Sequence, residues 1–277
     1  MKHEIIDLYE YFKIEKNEGA GAFLHTYVVD NNIEMEKDRK RSAMLILPGG
    51  GYEFVSYREG ESIAFGFLRR GVSAFVLRYS IAPNRYPTQI REAAMAMIYI
   101  RENAKAYNLD IETVGAIGFS AGGHLCGCLG NMFNCEAISD LRNCDFVRPT
   151  AVVLSYPVTI YANGDGSKTH VGSFNKVSGN NKEISEYLSL ENHVTNNSSP
   201  AFIWHTVEDK AVPIYGTLVL ANKYYENQVP FELHMFERGH HGLSVATDEV
   251  NTPNLRVSAW LDMSIDWLKE RGFHVYS

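Results

Sequence analysis

A serine between glycines is the strongest chemical signal in this sequence. The motif Gly-Phe-Ser-Ala-Gly at 118–122 follows an apolar, β-branched run at 114–119 and begins a helical pattern over 122–132. A serine on such a sharp strand-to-helix turn exposes its hydroxyl, and glycines are needed where side chains would collide. A phosphate-binding turn is the alternative, but no Lys follows as a P-loop requires, and the spacing of a dinucleotide fingerprint is absent. The motif therefore predicts that Ser120 is a nucleophile.

A glycine-rich turn precedes this motif. Residues 47–52 read Leu-Pro-Gly-Gly-Gly-Tyr and directly follow a predicted strand. Backbone N–H groups of such a turn can point into a cavity and stabilise an oxyanion, together with the N–H that follows the nucleophile. We therefore assign the oxyanion hole to the backbone of Gly50, Gly51 and Ala121. A plain tight turn, the alternative, would need only one or two glycines.

An aspartate and two adjacent histidines can complete a catalytic triad. Asp209 follows the predicted strand 201–206, whereas His240 and His241 follow the strand 231–236. Catalytic groups of open α/β sheets gather at the carboxyl ends of the strands. A serine nucleophile needs a histidine base, and the base needs a carboxylate that orients it. The chain order serine, aspartate, histidine is that of α/β-hydrolases and differs from the order in other serine hydrolases.

Alternatives remain for these side chains. Asp209 could instead cap the following helix, and one of the two histidines would be a solvated loop residue. Glu208 is the weaker acid candidate, because its neighbour better fits the Asp-x-x-Val-Pro arrangement that ends at Pro213.

Strand and helix patterns alternate from residue 43 to the end of the chain. Apolar runs predict buried parallel strands at 43–47, 73–79, 114–119, 151–156, 201–206 and 231–236. Helical periodicity covers 90–104, 122–132, 214–225 and 257–268. Pro213 is expected at the first helical position of the third helix, and 24–30 is expected to add an antiparallel edge strand. The alternation predicts an α/β fold with a mostly parallel central sheet and helices on both faces.

One segment differs from this pattern in composition. Of the 39 residues at 161–199, 18 are Asn, Ser or Gly. We expect a polar insertion within a single domain spanning 1–277, placed as a lid over the site. Its aromatic side chains could stack on a sugar or could simply be buried for the loop's own stability. They are Tyr161, His170, Phe174, Tyr187 and His193.

Composition limits the classes of partner. The 277 residues carry 26 Lys and Arg against 33 Asp and Glu, without a basic stripe, so nucleic acid is not expected as a partner. The longest apolar run, 93–100, is far shorter than the roughly 20 residues that span a bilayer. The N-terminus lacks the apolar core of a signal peptide, so a cytoplasmic protein without membrane partners is predicted. We expect buried free thiols, and neither a disulfide nor a metal site, for the cysteines Cys126, Cys128, Cys135 and Cys144.

These motifs together resemble the esterase/lipase group of the α/β-hydrolase superfamily, close to acetyl esterases and xylan or sugar O-acetyl esterases. The matching segments are 47–52, 77–83, 118–125, 205–213 and 239–244. The resemblance implies an α/β-hydrolase fold with the Ser120, Asp209 and His241 triad, an acyl-enzyme and no cofactor. In that family the catalytic histidine directly precedes a glycine, which favours His241 over His240. Hormone-sensitive-lipase-like relatives have a histidine where this chain has Pro48, so their substrate preferences are not carried over.

The resemblance and the polar insertion together predict hydrolysis of short-chain carboxylic esters, most of all O-acetyl groups of sugars or oligosaccharides. Tyr52, beside the oxyanion loop, is a candidate for lining the acyl pocket, or else covers the core. His124, in the first turn of the helix after Ser120, is a second candidate for substrate binding, with packing or hydrogen bonding as the alternative. An amidase, arylformamidase or peptidase on the same triad and a non-catalytic binding scaffold are the competing functions. A homodimer is a further expectation.

Overall fold

The computed structural model describes residues 1–34, 36–161 and 170–276, within which eight strands form one sheet. The strands are β1 (Ile5–Asp7), β2 (Phe23–Tyr27), β3 (Arg41–Leu47), β4 (Ser73–Arg78), β5 (Leu109–Phe119), β6 (Val152–Ser155), β7 (Ala201–Thr206) and β8 (Phe231–Phe236). Their spatial order is β1-β2-β4-β3-β5-β6-β7-β8. The pairs β1–β2 and β2–β4 are antiparallel and all the others are parallel. The predicted α/β fold with a mostly parallel sheet and an antiparallel edge is confirmed.

Helices lie between and after these strands. They are α1 (Leu8–Phe12), α2 (Glu61–Arg69), α3 (Thr88–Glu102), α4 (Ala104–Tyr107), α5 (Ala121–Asn131), α6 (Val171–Ser178), α7 (Lys182–Tyr187), α8 (Tyr215–Glu226) and α9 (Trp260–Glu270). The predicted helix 90–104 corresponds to α3 with the start of α4. The expected position of Pro213 is wrong, because Pro213 closes a turn with Gly216 and the helix begins only at Tyr215. None of the described helices has the length and apolar character needed to cross a membrane.

Hydrophobic side chains cover both faces of the sheet. In β3 every residue is buried, and its successive residues Leu45 and Ile46 belong to clusters on opposite faces. One cluster includes Met97 of α3, and the other includes Phe67 of α2 and Trp260 of α9. Each such buried side chain contributes about 2 kcal/mol by leaving water. Burial on both faces explains why the central strands are apolar at nearly every position.

The predicted insertion is held to the body by apolar side chains. Its residues 162–169 lie outside the described residues, and the remainder forms α6, α7 and a short 3-10 turn at Leu190–Asn192. Phe174 and Leu190 are buried, although the segment as a whole is polar. A Cβ on Gly127 of α5 would lie 2.4 Å from Leu190 Cδ1, so this glycine lets the insertion approach α5 closely.

Candidate active site

The turn around Ser120 has the geometry that its sequence motif predicts. β5 ends at Phe119 and α5 begins at Ala121, and Ser120 between them has φ 53° and ψ −118°, a conformation that costs strain for a non-glycine residue. A Cβ on Gly118 would lie 2.1 Å from the Gly122 carbonyl oxygen. A Cβ on Gly122 would lie 2.1 Å from the carbonyl oxygen of Leu47 in β3. Both glycines are therefore required for this sharp turn.

Three loops at the carboxyl ends of parallel strands bring Ser120, His241 and Asp209 together. Ser120 Oγ lies 2.8 Å from His241 Nε2, and His241 Nδ1 lies 2.6 Å from Asp209 Oδ2. Ser120 is 8% exposed and Asp209 is 7% exposed. The arrangement gives the serine hydroxyl a base and gives the base an orienting carboxylate.

The neighbours of these residues face elsewhere. His240 is exposed, and its Nδ1 lies 2.7 Å from the carbonyl oxygen of His241. Glu208 is also exposed, and its carboxylate accepts a hydrogen bond from the Gly239 N–H at 3.2 Å. The hydrogen bonds that lead to Ser120 therefore involve His241 and Asp209, rather than His240 and Glu208.

The carboxylate of Asp209 is fully engaged. Its Oδ1 accepts hydrogen bonds from the N–H groups of Ala211 and Val212, both at 2.9 Å, and its Oδ2 also lies 3.2 Å from His205 Nε2. Burial alone raises the pKa of Asp209, but the hydrogen bonds from His205 and His241 outweigh it and hold the pKa well below its usual range. Asp209 is therefore ionised at neutral pH. The backbone N–H groups that it accepts belong to a turn that precedes α8, so Asp209 does not cap the helix itself.

His205 is a supporting residue that the sequence analysis missed. It is fully buried in β7, and its Nε2 lies 3.1 Å from the carbonyl oxygen of Val212. Because a carbonyl only accepts, the proton is assigned to Nε2, which leaves Nδ1 to accept from the hydroxyl of Thr217 at 2.8 Å. In this tautomer, the N–H at His205 Nε2 faces both Asp209 Oδ2 and the carbonyl oxygen of Val212. The only sequence signal was a histidine inside an apolar strand, four residues before Asp209.

The glycine turn that follows β3 contains two residues in backbone conformations that favour glycine. Gly50 has φ 130° and Gly51 has φ 65°, and a Cβ on Gly50 would lie 2.0 Å from the Phe54 carbonyl oxygen. None of the hydrogen bonds between described residues uses the N–H groups of Gly50, Gly51 or Ala121. Gly50 and Gly51 line the same cavity as Ser120. Two of these three donors thus lie at the cavity that contains Ser120, without an acceptor among the described residues.

A buried carboxylate that the sequence did not indicate connects this turn to the histidine loop. Glu59 is 4% exposed; its Oε2 accepts the Gly49 N–H at 2.8 Å and its Oε1 accepts the Tyr156 hydroxyl at 2.7 Å. The Tyr156 oxygen in turn accepts the Ser244 N–H at 2.9 Å. The Tyr156 ring also lies edge-on to the His241 ring, with centroids 5.0 Å apart. Through these contacts, Glu59 joins the glycine turn to the loop that carries His241.

The two candidate substrate-binding residues lie behind the cavity wall. Tyr52 and His124 are each 1% exposed, and the Tyr52 hydroxyl lies 2.8 Å from His124 Nδ1. His124 Nε2 lies 2.8 Å from the Leu188 carbonyl oxygen, so Nε2 carries the proton and Tyr52 donates to Nδ1. Burial lowers the pKa of His124 to about 4, so it is neutral. His124 thus takes its hydrogen-bonding alternative, and Tyr52 covers the core; together they join the glycine turn, α5 and the insertion.

The cavity above Ser120 has a volume of about 340 Å³, and its wall combines charged and polar side chains with apolar surface. Glu53 and Lys176 form an ion pair at its edge. Besides the serine, histidine and glycine-turn residues, its polar lining includes Glu53, Ser56, Arg58, His170 and Lys176.

Only one of the aromatic residues proposed for a sugar-stacking lid reaches this cavity. His170 lines it, whereas Phe174 is buried and contacts the rings of Tyr161 and His124. Tyr187 contacts His193 outside the cavity lining, with ring centroids 4.9 Å apart. The insertion therefore contributes mainly polar groups to the cavity.

The described residues contain no group of three His, Cys, Asp or Glu side chains that could hold a metal ion. Cys126 and Cys128 are buried in α5, and burial raises the pKa of both thiols. Both side chains belong to the hydrophobic core beside α5, the helix that follows Ser120.

Comparison with known proteins adds to this geometry. The BD-FAE family model matches residues 32–224 of the chain. Endo-1,4-beta-xylanase B of Butyrivibrio fibrisolvens is 40% identical over 221 residues, which are 76% of this chain and 34% of that protein. Acetylxylan esterase of Xylanibacter ruminicola is 29% identical over 176 residues, which are 62% of this chain and 34% of that protein. The chain thus spans about a third of the length of these two curated relatives.

A solved structure covers nearly the whole chain. The crystal structure of an acetyl ester-xyloside bifunctional hydrolase from Caldicellulosiruptor lactoaceticus has a TM-score of 0.83 and 30% identity, covering 98% of this chain and 97% of that one. These comparisons confirm the resemblance to esterases of the α/β-hydrolase fold. They agree with the sequence prediction of a carboxylic ester hydrolase.

Proposed function

The chain belongs to the BD-FAE family, and on that basis we propose that it is a serine hydrolase of short-chain carboxylic esters, acting on O-acetyl groups of sugars or oligosaccharides. The observation that carries the proposal is the hydrogen-bonded chain from Ser120 through His241 to Asp209. Ser120 and His241 line the same cavity as Gly50 and Gly51 of the glycine turn, together with charged side chains. The names of the relatives support an acetyl ester as the substrate class.

In the first step, Ser120 Oγ attacks the ester carbonyl carbon while His241 Nε2 accepts the hydroxyl proton. Asp209 holds the proton on His241 Nδ1 and stabilises the imidazolium that forms. The carbonyl oxygen becomes an oxyanion within reach of the N–H groups of Gly50, Gly51 and Ala121, of which each contributes about 3 kcal/mol. The carbon–oxygen bond to the alcohol then breaks, and His241 returns the proton to the leaving oxygen.

In the second step, water attacks the acyl group on Ser120. His241 Nε2 accepts a proton from that water, and the same N–H groups stabilise the second oxyanion. The bond to Ser120 breaks, the serine recovers its proton from His241, and the carboxylic acid leaves. The residues supply every proton transfer, because the base that activates the serine also activates the water.

The size and polarity of the cavity favour a small acyl group on a hydrophilic alcohol. Its volume of about 340 Å³ lies near the lower end of ligand pockets, and ionic side chains such as Glu53, Arg58 and Lys176 line it. A long acyl chain would displace water from these charged side chains, and dehydrating a charged group costs free energy. An acetylated sugar offers hydroxyl groups to the same side chains.

Acetate release from acetylated xylo- and manno-oligosaccharides, p-nitrophenyl acetate and longer-chain esters tests the proposal, with Ser120→Ala as the control. We expect fast release from acetylated sugars that the variant loses. Faster hydrolysis of N-formyl or peptide substrates would instead support the amidase alternative. Hydrolysis of none of them, together with no labelling of Ser120 by a fluorophosphonate, would support a binding scaffold.

A cytoplasmic location and a homodimer stay predictions from the sequence. Cell fractionation tests the first, and sedimentation of the purified chain tests the second.

A further inference from the structure

A second cavity adjoins the catalytic cavity, with a volume of about 760 Å³. The two cavities share the wall formed by Phe54, Ser56 and Arg58. The remaining walls come from residues 19–23, at the start of β2, and from residues 78–81, after β4. The mechanism described above uses none of this surface.

The shared wall of the two cavities lies close to the loop that carries His241. Arg58 Nη2 would lie 3.5 Å from a Cβ on Gly242, the residue next to His241. Because His241 gives its proton to the leaving oxygen, the alcohol part of the ester must extend from Ser120 toward His241. An alcohol part larger than one ring can extend past Arg58 toward the second cavity, or past Glu208 and His240 toward a further cavity that His241 also lines. The residues that line the second cavity favour the first direction.

Exposed aromatic rings line this second cavity. Tyr57 is 81% exposed, Phe54 59% and Phe23 40%, whereas most aromatic side chains of the protein are buried. Large apolar rings grouped at a concave surface mark a binding site more often than a solvated one. The CH faces of sugar rings can cover such rings, and their hydroxyl groups can bond to nearby polar side chains.

The polar groups of the cavity suit a neutral, hydroxyl-rich ligand. The Arg78 guanidinium stacks on Tyr57, 4.1 Å from the ring centroid, and donates to the Val55 carbonyl oxygen at 3.0 Å. These contacts hold the loop that carries Tyr57 against β4, so the Tyr57 ring has a fixed orientation in the cavity wall. None of the ion pairs between described residues involves Arg58, whose guanidinium is free to donate to sugar hydroxyls.

From these observations we propose that the second cavity is a subsite for sugar residues linked to the acetylated one. The inference rests on the proposed function and adds to it a preference for acetylated oligosaccharides over acetylated monosaccharides. Stacking of one sugar ring on Tyr57 buries roughly 50 Å² of apolar surface, which corresponds to an about tenfold gain in kcat/KM.

The test compares acetylated xylose with acetylated xylotetraose as substrates of the wild type, Tyr57→Ala and Phe23→Ala. Phe65→Ala is the matched control, because Phe65 is 52% exposed but lies on α2, outside both cavity linings. We expect a tetramer-to-monomer ratio of kcat/KM of about ten in the wild type and Phe65→Ala, and a ratio near one in Tyr57→Ala. A ratio near one in the wild type, or an unchanged ratio in both Tyr57→Ala and Phe23→Ala, would overturn the proposal.

Binding without turnover separates this proposal from the proposed function. Calorimetric titration with unacetylated xylotetraose should show binding to the wild type that Tyr57→Ala loses and Phe65→Ala keeps. Absence of binding to the wild type would refute the subsite. Tetrasaccharide binding without any Ser120-dependent acetate release would contradict the proposed function and still support the subsite.

Discussion

Replacing Asp209 by Asn changes the site by one charge and one hydrogen-bonding group, with almost no change in shape. The amide has two orientations. With its nitrogen in the place of Oδ1 it would face the N–H groups of Ala211 and Val212, both now 2.9 Å from Oδ1. Both donors would lose their acceptor, and the loss at the buried N–H of Val212 alone costs about 1–3 kcal/mol.

The second orientation is cheaper and damages catalysis. With the amide nitrogen in the place of Oδ2, His205 keeps its hydrogen bond to the Val212 carbonyl oxygen at 3.1 Å. His241 can meet the new donor only by carrying its proton on Nε2, where it points at Ser120. That tautomer cannot accept the serine proton, so we expect kcat to fall by about 10⁴-fold, the loss that the wrong tautomer causes in serine proteases. This corresponds to about 5.5 kcal/mol in activation free energy.

The assay is kcat for p-nitrophenyl acetate, with thermal unfolding of each variant to show that it folds. Glu208→Gln is the matched control, because Glu208 precedes Asp209 but is exposed and bonds only the Gly239 N–H. We expect that control to stay within about twofold of the wild type, as surface substitutions usually do. A folded Asp209→Asn variant that keeps more than a tenth of wild-type kcat would refute the assigned role of Asp209.

Three further predictions concern the surrounding structure. In Glu59→Gln, one amide oxygen must replace two acceptors, so the glycine turn shifts. We expect kcat in steady-state assays to fall about tenfold with little change in KM, and to fall equally in Glu59→Ala. Wild-type kcat in Glu59→Gln would contradict the role of Glu59. Gly50→Ala places a Cβ 2.0 Å from the Phe54 carbonyl oxygen at φ 130°, so kcat should fall at least ~10²-fold while circular dichroism shows a folded chain; unchanged kcat would exclude Gly50 from the oxyanion hole. Burial raises the pKa of Glu92 to about 7, so the folded chain binds an extra proton between about pH 4.5 and 7. The free energy of unfolding should fall by up to about 3 kcal/mol as pH rises through that window, and urea unfolding at pH 5 and 8 should show this fall in the wild type but not in Glu92→Gln.

The sequence predicted the central strands well because they are buried on both faces. The run at 201–206 coincides with β7, in which every residue is buried. The run at 231–236 coincides with β8, but this strand lies at the edge of the sheet and each of its residues is only partly buried, so the predicted burial is wrong there. By contrast, β1 has three residues, of which Ile5 is exposed, so it has no apolar run that could reveal it. Pro213 lies two residues before α8 because residues 209–212 form a local turn, in which the Asp209 carboxylate accepts hydrogen bonds from the N–H groups of Ala211 and Val212. The sequence pattern did not distinguish this turn from the start of the helix.

The site was predictable where a local motif carries the chemistry and not where long-range pairing does. The glycines around Ser120 enforce a local turn, so the motif alone indicated the geometry. Glu59 is an ordinary acidic residue in sequence, and its role depends on Tyr156, which lies 97 positions away. The composition of the insertion likewise could not tell that Phe174 is buried while His170 lines the cavity.

The most direct test of the proposed mechanism is the site of labelling by a fluorophosphonate, followed by acetate release from the labelled protein. The probe reacts with an activated serine, and peptide mapping identifies the modified residue. The mechanism predicts one label, on Ser120, with acetate release lost in proportion to labelling. A label on another residue, or full acetate release from protein labelled at Ser120, would contradict it.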